Sequence, residues 1–217
     1  MNAASRLPLR PHDLLWVRAP RAVIGPTPLP VWVDAGWPLV VRRAEGQGAG
    51  LVPVGLRGPL RHQRHAAWVD QGQVRRVLTP EGLARAAAWK RIPRGGFAAF
   101  DAVRVLAPCL DDVGLPWGPS GSAGFALATG LAVLRPDSDL DLLVRADAAP
   151  AARQVEQLKA LQGRTPCRLD IQIDTGHGGF ALAEWLAGRR QVLLKTARGP
   201  FLVEDPWQPP ESAEVAQ

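Results

Sequence analysis

Two eight-residue segments, SDLDLLVR (138–145) and CRLDIQID (167–174), set acidic or polar side chains between aliphatic ones at nearly every second position. A period of two fits a β-strand, whose successive side chains point to opposite faces. In the first segment Asp139 and Asp141 share a face, and Leu140, Leu142 and Val144 take the other. In the second, Asp170, Gln172 and Asp174 alternate with Leu169, Ile171 and Ile173. The aliphatic sides predict core, which leaves the acidic sides to line a cleft or meet solvent. If the two strands pair, Asp170 stands beside the first two carboxylates. Carboxylates gathered in this way repel one another unless cations lie between them, as in magnesium sites for phosphate chemistry. Two such ions, about 3.5–4 Å apart, can serve both the attacking and the leaving oxygen of an in-line displacement. A lone Asp-x-Asp is more often a solvated strand face, so the flanking sequence has to decide.

Upstream, GPSGSAG (118–124) places three glycines around Ser120 and Ser122 directly before a helical stretch. Backbone N–H groups and a hydroxyl at a helix start suit a phosphate. From Ser120 onward the sequence predicts alternating elements: a helix over SAGFALAT, the first acidic strand, a helix over PAARQVEQLKALQ closed by Gly163, and the second acidic strand. A helix over FALAEWLA closed by Gly188 and a strand over QVLLKT follow. This alternation predicts a mixed sheet covered by helices, an α+β or α/β arrangement. Residues 1–79 instead offer short apolar runs broken by Pro and Gly, which read as strands. TPEGLARAAAWKR predicts a helix over about 80–91 with Thr79 as its N-cap. GGFAAFDAVRVLAPCL predicts another, with Phe97, Phe100, Val103 and Leu106 in its apolar stripe. The expected organisation is a smaller β-rich domain over 1–79 and a helix-and-sheet catalytic domain over 80–210.

With 217 residues, 47% of them hydrophobic, the chain can bury a proper core. It has no apolar run near the roughly 20 residues needed to cross a bilayer and no signal-peptide pattern, so the expected setting is cytoplasmic. Cys109 and Cys167 are too far apart in sequence for a usual zinc pairing and read as reduced core residues. A net charge of +6 suits an anionic partner. Lys90, Lys159 and Lys195 are the only lysines among 26 basic residues, however, and tyrosine is absent. Such skewed usage points to coding bias as much as to function.

The Gly121-Ser122 turn, the strand with Asp139-Leu140-Asp141-Leu142, and the third carboxylate in Leu169-Asp170-Ile171 resemble the nucleotidyltransferase superfamily over about residues 115–175. The interval from Ser122 to Asp139 is longer than in many members. A closer resemblance covers nearly the whole chain. RPHDLLWV, PVGLRGPLRHQRHA, WGPSGSAGFALATG, RPDSDLDLLV, LDIQIDT, ALAEWLAG and VLLKTARGP are similar to the malonate decarboxylase holo-(acyl carrier protein) synthase family. Its members are also called phosphoribosyl-dephospho-CoA transferases.

That resemblance implies transfer of a phosphoribosyl-dephospho-CoA group from 2'-(5''-triphosphoribosyl)-3'-dephospho-CoA to a serine of the acyl carrier subunit, with pyrophosphate leaving. Asp139, Asp141 and Asp170 are then the expected catalytic residues and ligands of magnesium, two ions in all. Asp170 either binds metal or accepts the serine proton, and Asp174 is a weaker substitute for it. Gly121 and Ser122 would grip the departing phosphates. Lys195 and the arginines Arg57, Arg61 and Arg64 in GLRGPLRHQRH would meet the triphosphate. His62 and His65 lack a third ligand at zinc spacing. Neither a membrane nor nucleic acid is expected as a partner. Two other readings remain open: a nucleotidyltransferase acting on a small molecule, an RNA end or another protein, and a non-catalytic module holding nucleic acid through its basic residues.

Overall fold

The structure is a computed structural model and describes residues 8–19, 22–25, 28–34, 36–60 and 62–210. Arg61, one of the arginines expected to meet the triphosphate, lies outside the described residues. The chain divides into two compact units, Met1–Leu78 and Thr79–Gln217.

The first unit is built on a six-stranded antiparallel sheet. Its strands are β1 (Leu14–Val17), β2 (Val23–Ile24), β3 (Leu39–Val41), β4 (Leu51–Arg57), β5 (Arg64–Asp70) and β6 (Val74–Leu78), in the order β2-β5-β4-β3-β1-β6. Alternation is the cause: Val54 and Leu56 on β4 and Ala67 and Val69 on β5 are buried, and their neighbours along each strand are less so. With Leu15, Leu39 and Val41 they form the core of this unit.

The second unit contains α1 (Pro80–Ala86), α2 (Ala98–Val113), β7 (Trp117–Pro119), α3 (Gly121–Thr129), β8 (Leu140–Arg145), α4 (Ala152–Lys159), β9 (Leu169–Asp174), β10 (Gly179–Ala181), α5 (Leu182–Leu186), β11 (Val192–Thr196) and β12 (Gly199–Val203). Its sheet runs in the order β12-β11-β10-β9-β8-β7. Only the β8–β9 pair is parallel, with α4 in the crossover that a parallel pair requires. The fold is therefore mixed α/β, with two sheets and five α-helices among the described residues.

Several elements depart from the sequence expectation. The helix expected over 80–91 stops at Ala86, because Ala87 takes a left-handed conformation (φ 46°), and a 3₁₀ turn over Ala88–Arg91 follows. Thr79 does cap α1, its hydroxyl accepting from the Gly82 N–H at 3.0 Å. Phe180 and Ala181 belong to β10, so α5 is shorter than FALAEWLA suggested. Strands β7 and β12 had no counterpart in the sequence reading. In α2, Phe100, Val103, Leu106 and Leu110 are buried on one stripe, while Phe97 sits at the N-cap. Full burial of each such side chain contributes about 1.5–3 kcal/mol. Cys109 and Cys167 are free thiols and only half-buried.

Candidate active site

The parallel register fixes the site. Asp141 on β8 is paired with Asp170 on β9, and residues directly across such a pair share a face. Leu140, Leu142, Val144, Ile171 and Ile173 occupy the opposite face and are at most 2% exposed, as the alternation predicted. The acidic face is covered further along, where Leu143 is fully buried. Asp141 and Asp170 therefore stand half-buried at the open, N-terminal end of their strands.

Strand β7 brings the glycine turn to this end. It pairs antiparallel with β8, Pro119 against Leu142, and the Ser120 N–H continues the ladder by donating to the Asp141 carbonyl at 2.9 Å. The chain then turns at Gly121 (φ 55°) into α3. A Cβ on Gly121 would lie 1.8 Å from Oδ2 of Asp141, so the glycine is what lets this carboxylate rest against the first turn of α3. Ser122, half-buried, is the second residue of that helix. The first N–H groups of a helix have no intrahelical acceptor and point outward, which makes this end attractive to an anion.

Asp139 immediately precedes β8 and is turned towards Arg168, whose Nη1 lies 3.9 Å from its Oδ2. The two side chains are 43% and 78% exposed, so the contact is worth at most about 1 kcal/mol. Among the described residues no three His, Cys, Asp or Glu side chains are gathered as a metal-binding group. The structure thus brings Asp141 and Asp170 together and holds Asp139 at the adjoining surface. Next to it, burial pushes the Cys167 thiol above its ordinary value, and the charge of Asp139 adds to the rise.

The other sequence candidates are distributed differently. Asp174 is 2% exposed and its Oδ2 accepts from Arg145 Nη1 at 2.5 Å. This carboxylate is committed to an ion pair, which removes it as a substitute for Asp170. Lys195 is exposed and shares the acidic face, since Asp174 pairs with Gly179 and Gly179 with Lys195. It lies four residues along and two strands across from Asp170, on the order of 16 Å away. Arg57 and Arg64 face each other across the β4–β5 hairpin of the first unit.

Sequence reasoning missed Glu81 and Arg145. Arg145 Nε donates to Glu81 Oε1 at 2.5 Å, so that the half-buried Glu81 joins the buried Arg145–Asp174 pair in a triad that ties α1 to the sheet. Burial pushes the Glu81 carboxyl up, but the Arg145 charge and hydrogen bonds to its own backbone, Thr79 and Arg145 outweigh that and leave it below its ordinary value. The alternation on β8 did place Arg145 on the acidic face. Nothing in the sequence announced its partner 64 residues earlier. Glu184 on α5 accepts from the Leu193 N–H at 3.2 Å.

Residues 10–80 match the family described as phosphoribosyl-dephospho-CoA transferase MdcG N-terminal domain, and residues 84–206 match its C-terminal domain. The chain belongs to this family. A phosphoribosyl-dephospho-CoA transferase of Pseudomonas aeruginosa is 45% identical over 206 residues, covering 91% of this chain and 93% of the relative. Transferases of the same name from Pseudomonas putida (strain W619) and Azotobacter vinelandii are 43% and 40% identical, covering 91% and 94% of this chain and 95% and 97% of theirs. No solved structure matches. The chain is accordingly a transferase, and both units of the phosphoribosyl-dephospho-CoA transferase family are present in it. No helix among the described residues is long and apolar enough to cross a membrane.

Proposed function

We propose that this protein is a cytoplasmic nucleotidyltransferase-like enzyme that moves the phosphoribosyl-dephospho-CoA group from 2'-(5''-triphosphoribosyl)-3'-dephospho-CoA to a serine of the malonate decarboxylase acyl carrier protein. The observation that carries the reading is the Asp141–Asp170 pair in register, lying against the Gly121 turn at the start of α3. Supporting the fold assignment, a Gly-Ser turn enters a helix, an Asp-x-Asp leads into a strand, and a third carboxylate stands on the neighbouring parallel strand.

The carboxylate oxygens of Asp141 and Asp170 are hard donors suited to magnesium, which characteristically takes one or two protein carboxylates together with substrate phosphates. Asp139, two residues before Asp141, would join them on release from Arg168. Bound magnesium would neutralise phosphate charge and polarise the phosphorus under attack. The protein's own groups do the rest. The first-turn amides of α3 and the Ser122 hydroxyl hold the departing β- and γ-phosphates. Asp170 either accepts the proton of the carrier serine or completes the cation's ligand set. The serine oxygen bonds to the α-phosphorus, the bond to the β-phosphate oxygen breaks, and pyrophosphate departs. Lys195 would attract a more distant anionic part of the donor, and the positive charge of Arg57, Arg61 and Arg64 suits the same anionic substrate.

Incubation of the protein with the triphosphoribosyl donor, magnesium and the apo carrier subunit should raise the carrier's mass by one prosthetic group. An unchanged carrier with an intact acceptor serine would refute the assignment. Labelling of another acceptor by a nucleoside triphosphate would favour a different nucleotidyltransferase.

A further inference from the structure

A groove of about 770 Å³ opens on the second unit between α1, the 3₁₀ turn over Ala88–Arg91, α2 and the start of β7. Its volume is that of a small-molecule site, which typically measures about 300–1,000 Å³, and it is concave where a protein-docking face would be broader and flatter. Pro108, Leu115 and Trp117 supply an apolar wall, and Arg85, Lys90 and Arg94 supply exposed cations.

The charges of this groove are unevenly committed. Its acids are both engaged: Glu81 with Arg145, and Asp111 by accepting from Trp117 Nε1 at 2.8 Å. A fourth cation, Arg104, is held by Asp101 and by the carbonyls of Trp89 and Ile92. Among the described residues Arg85, Lys90 and Arg94 have no ion pair, so the groove offers three uncommitted positive charges beside an apolar wall. Two further features mark the wall as unusual. Ala87, in the left-handed region, lines it, and so does Trp89, whose buried Nε1–H has no hydrogen-bond partner.

Strand β7 links the groove to the carboxylate pair. Trp117 lines the groove, and Ser120, three residues further, donates to Asp141. At about 3.3 Å per residue these two points are roughly 10 Å apart along the strand. Trp117 shares the face of its partner Val144 and the carboxylates take the other, so a ligand occupying both passes round β7, the edge of the sheet. Gly118 lets this strand pack directly against the start of α1, since a Cβ there would lie 1.8 Å from the Pro80 carbonyl oxygen. A ligand with its reacting triphosphate at Asp141 and a long arm running from its adenosine through a diphosphate to an amide chain has the reach to occupy both.

Resting on the proposed function, we propose that this groove binds the dephospho-CoA arm of the donor, its diphosphate meeting Arg85, Lys90 and Arg94 and its amide chain lying along the apolar wall. Dephospho-CoA alone, without the triphosphoribosyl group, is the appropriate probe, measured by calorimetry on the full chain. The expected result is saturable binding that weakens at least tenfold in the Arg85→Ala/Arg94→Ala double variant and stays within twofold of the parent in Asp141→Asn. Unweakened binding in the double variant, loss of binding in Asp141→Asn, or no binding to the parent protein would overturn the proposal. So would retention of an acidic carrier protein, but not dephospho-CoA, through Arg85 and Arg94. The transfer assay separates this inference from the reading beneath it. Arm binding through these arginines with no carrier modification refutes the reaction and leaves the groove assignment standing. Carrier modification unaffected by the double variant at limiting donor does the reverse.

Discussion

The two ends of the β8–β9 pair carry the same kind of cross-strand contact with opposite electrostatic outcomes. At the N-terminal end a carboxylate faces a carboxylate, Asp141 against Asp170, and both are half-open to solvent. Four residues further along the same face, Arg145 faces Asp174, both are buried, and Glu81 completes the neutralisation. Like charges directly opposite cost stability, whereas opposite charges repay part of their desolvation. One end is thus built to hold the sheet and α1 together. The other sets two carboxylates in register at the half-open end of the strands, the arrangement on which the proposed cation site rests.

The sharpest break of this comparison is at the open end. Asp141→Ala should lower the transfer rate by at least about 10³-fold, a loss far larger than any accompanying change in thermal stability explains. A carrier mass-shift time course beside a melting curve checks both halves, and chelation of divalent ions should imitate the loss reversibly. At the closed end Arg145→Met should behave in the opposite way. It takes the Arg145 charge away from the buried Asp174 and the half-buried Glu81 and should cost about 3–5 kcal/mol in denaturant unfolding.

Gly121→Ala tests the region where the two effects meet. The new methyl group collides with the Asp141 carboxylate in a backbone conformation that alanine resists, so a loss of about 1–2 kcal/mol in stability and a larger fractional loss in rate are expected. Steady-state kinetics of the folded fraction separates the two. The smallest effect concerns acid. Because Glu81 titrates below its ordinary value of 4.5 in the folded chain, its contribution is complete above that pH and disappears as the pH falls through the lowered folded value. Glu81→Gln should flatten the stability profile in that acid range and cost about 1–2 kcal/mol at neutral pH. Parallel pH profiles of parent and variant would contradict the assignment.

The alternation in SDLDLLVR and CRLDIQID revealed both strands and their buried faces, because a period of two is written locally. The pairing of Asp141 with Asp170 was legible only as a condition. Whether two strands are neighbours depends on the intervening crossover, which periodicity does not encode. Strand β7 escaped notice because Trp117-Gly118-Pro119 has turn-like composition, and its role comes from close backbone packing against Pro80. The break at Ala87 was hidden in a run of alanines, the best helix formers, so a local preference was overridden by what surrounds it. The triad of Glu81, Arg145 and Asp174 joins three distant segments, and such contacts leave no mark in any short window of sequence.

The single parallel pairing also has a bearing on how the chain matures. Two strands that run the same way cannot be closed by a tight hairpin, so Asp141 and Asp170 become neighbours only after the α4 excursion has folded back onto the sheet. A nascent chain emerging up to α4 already carries one of the two acids and lacks the other. The proposed ion site would therefore be completed in one step, when β9 docks, and on that proposal divalent ions should favour the completed chain over every shorter intermediate.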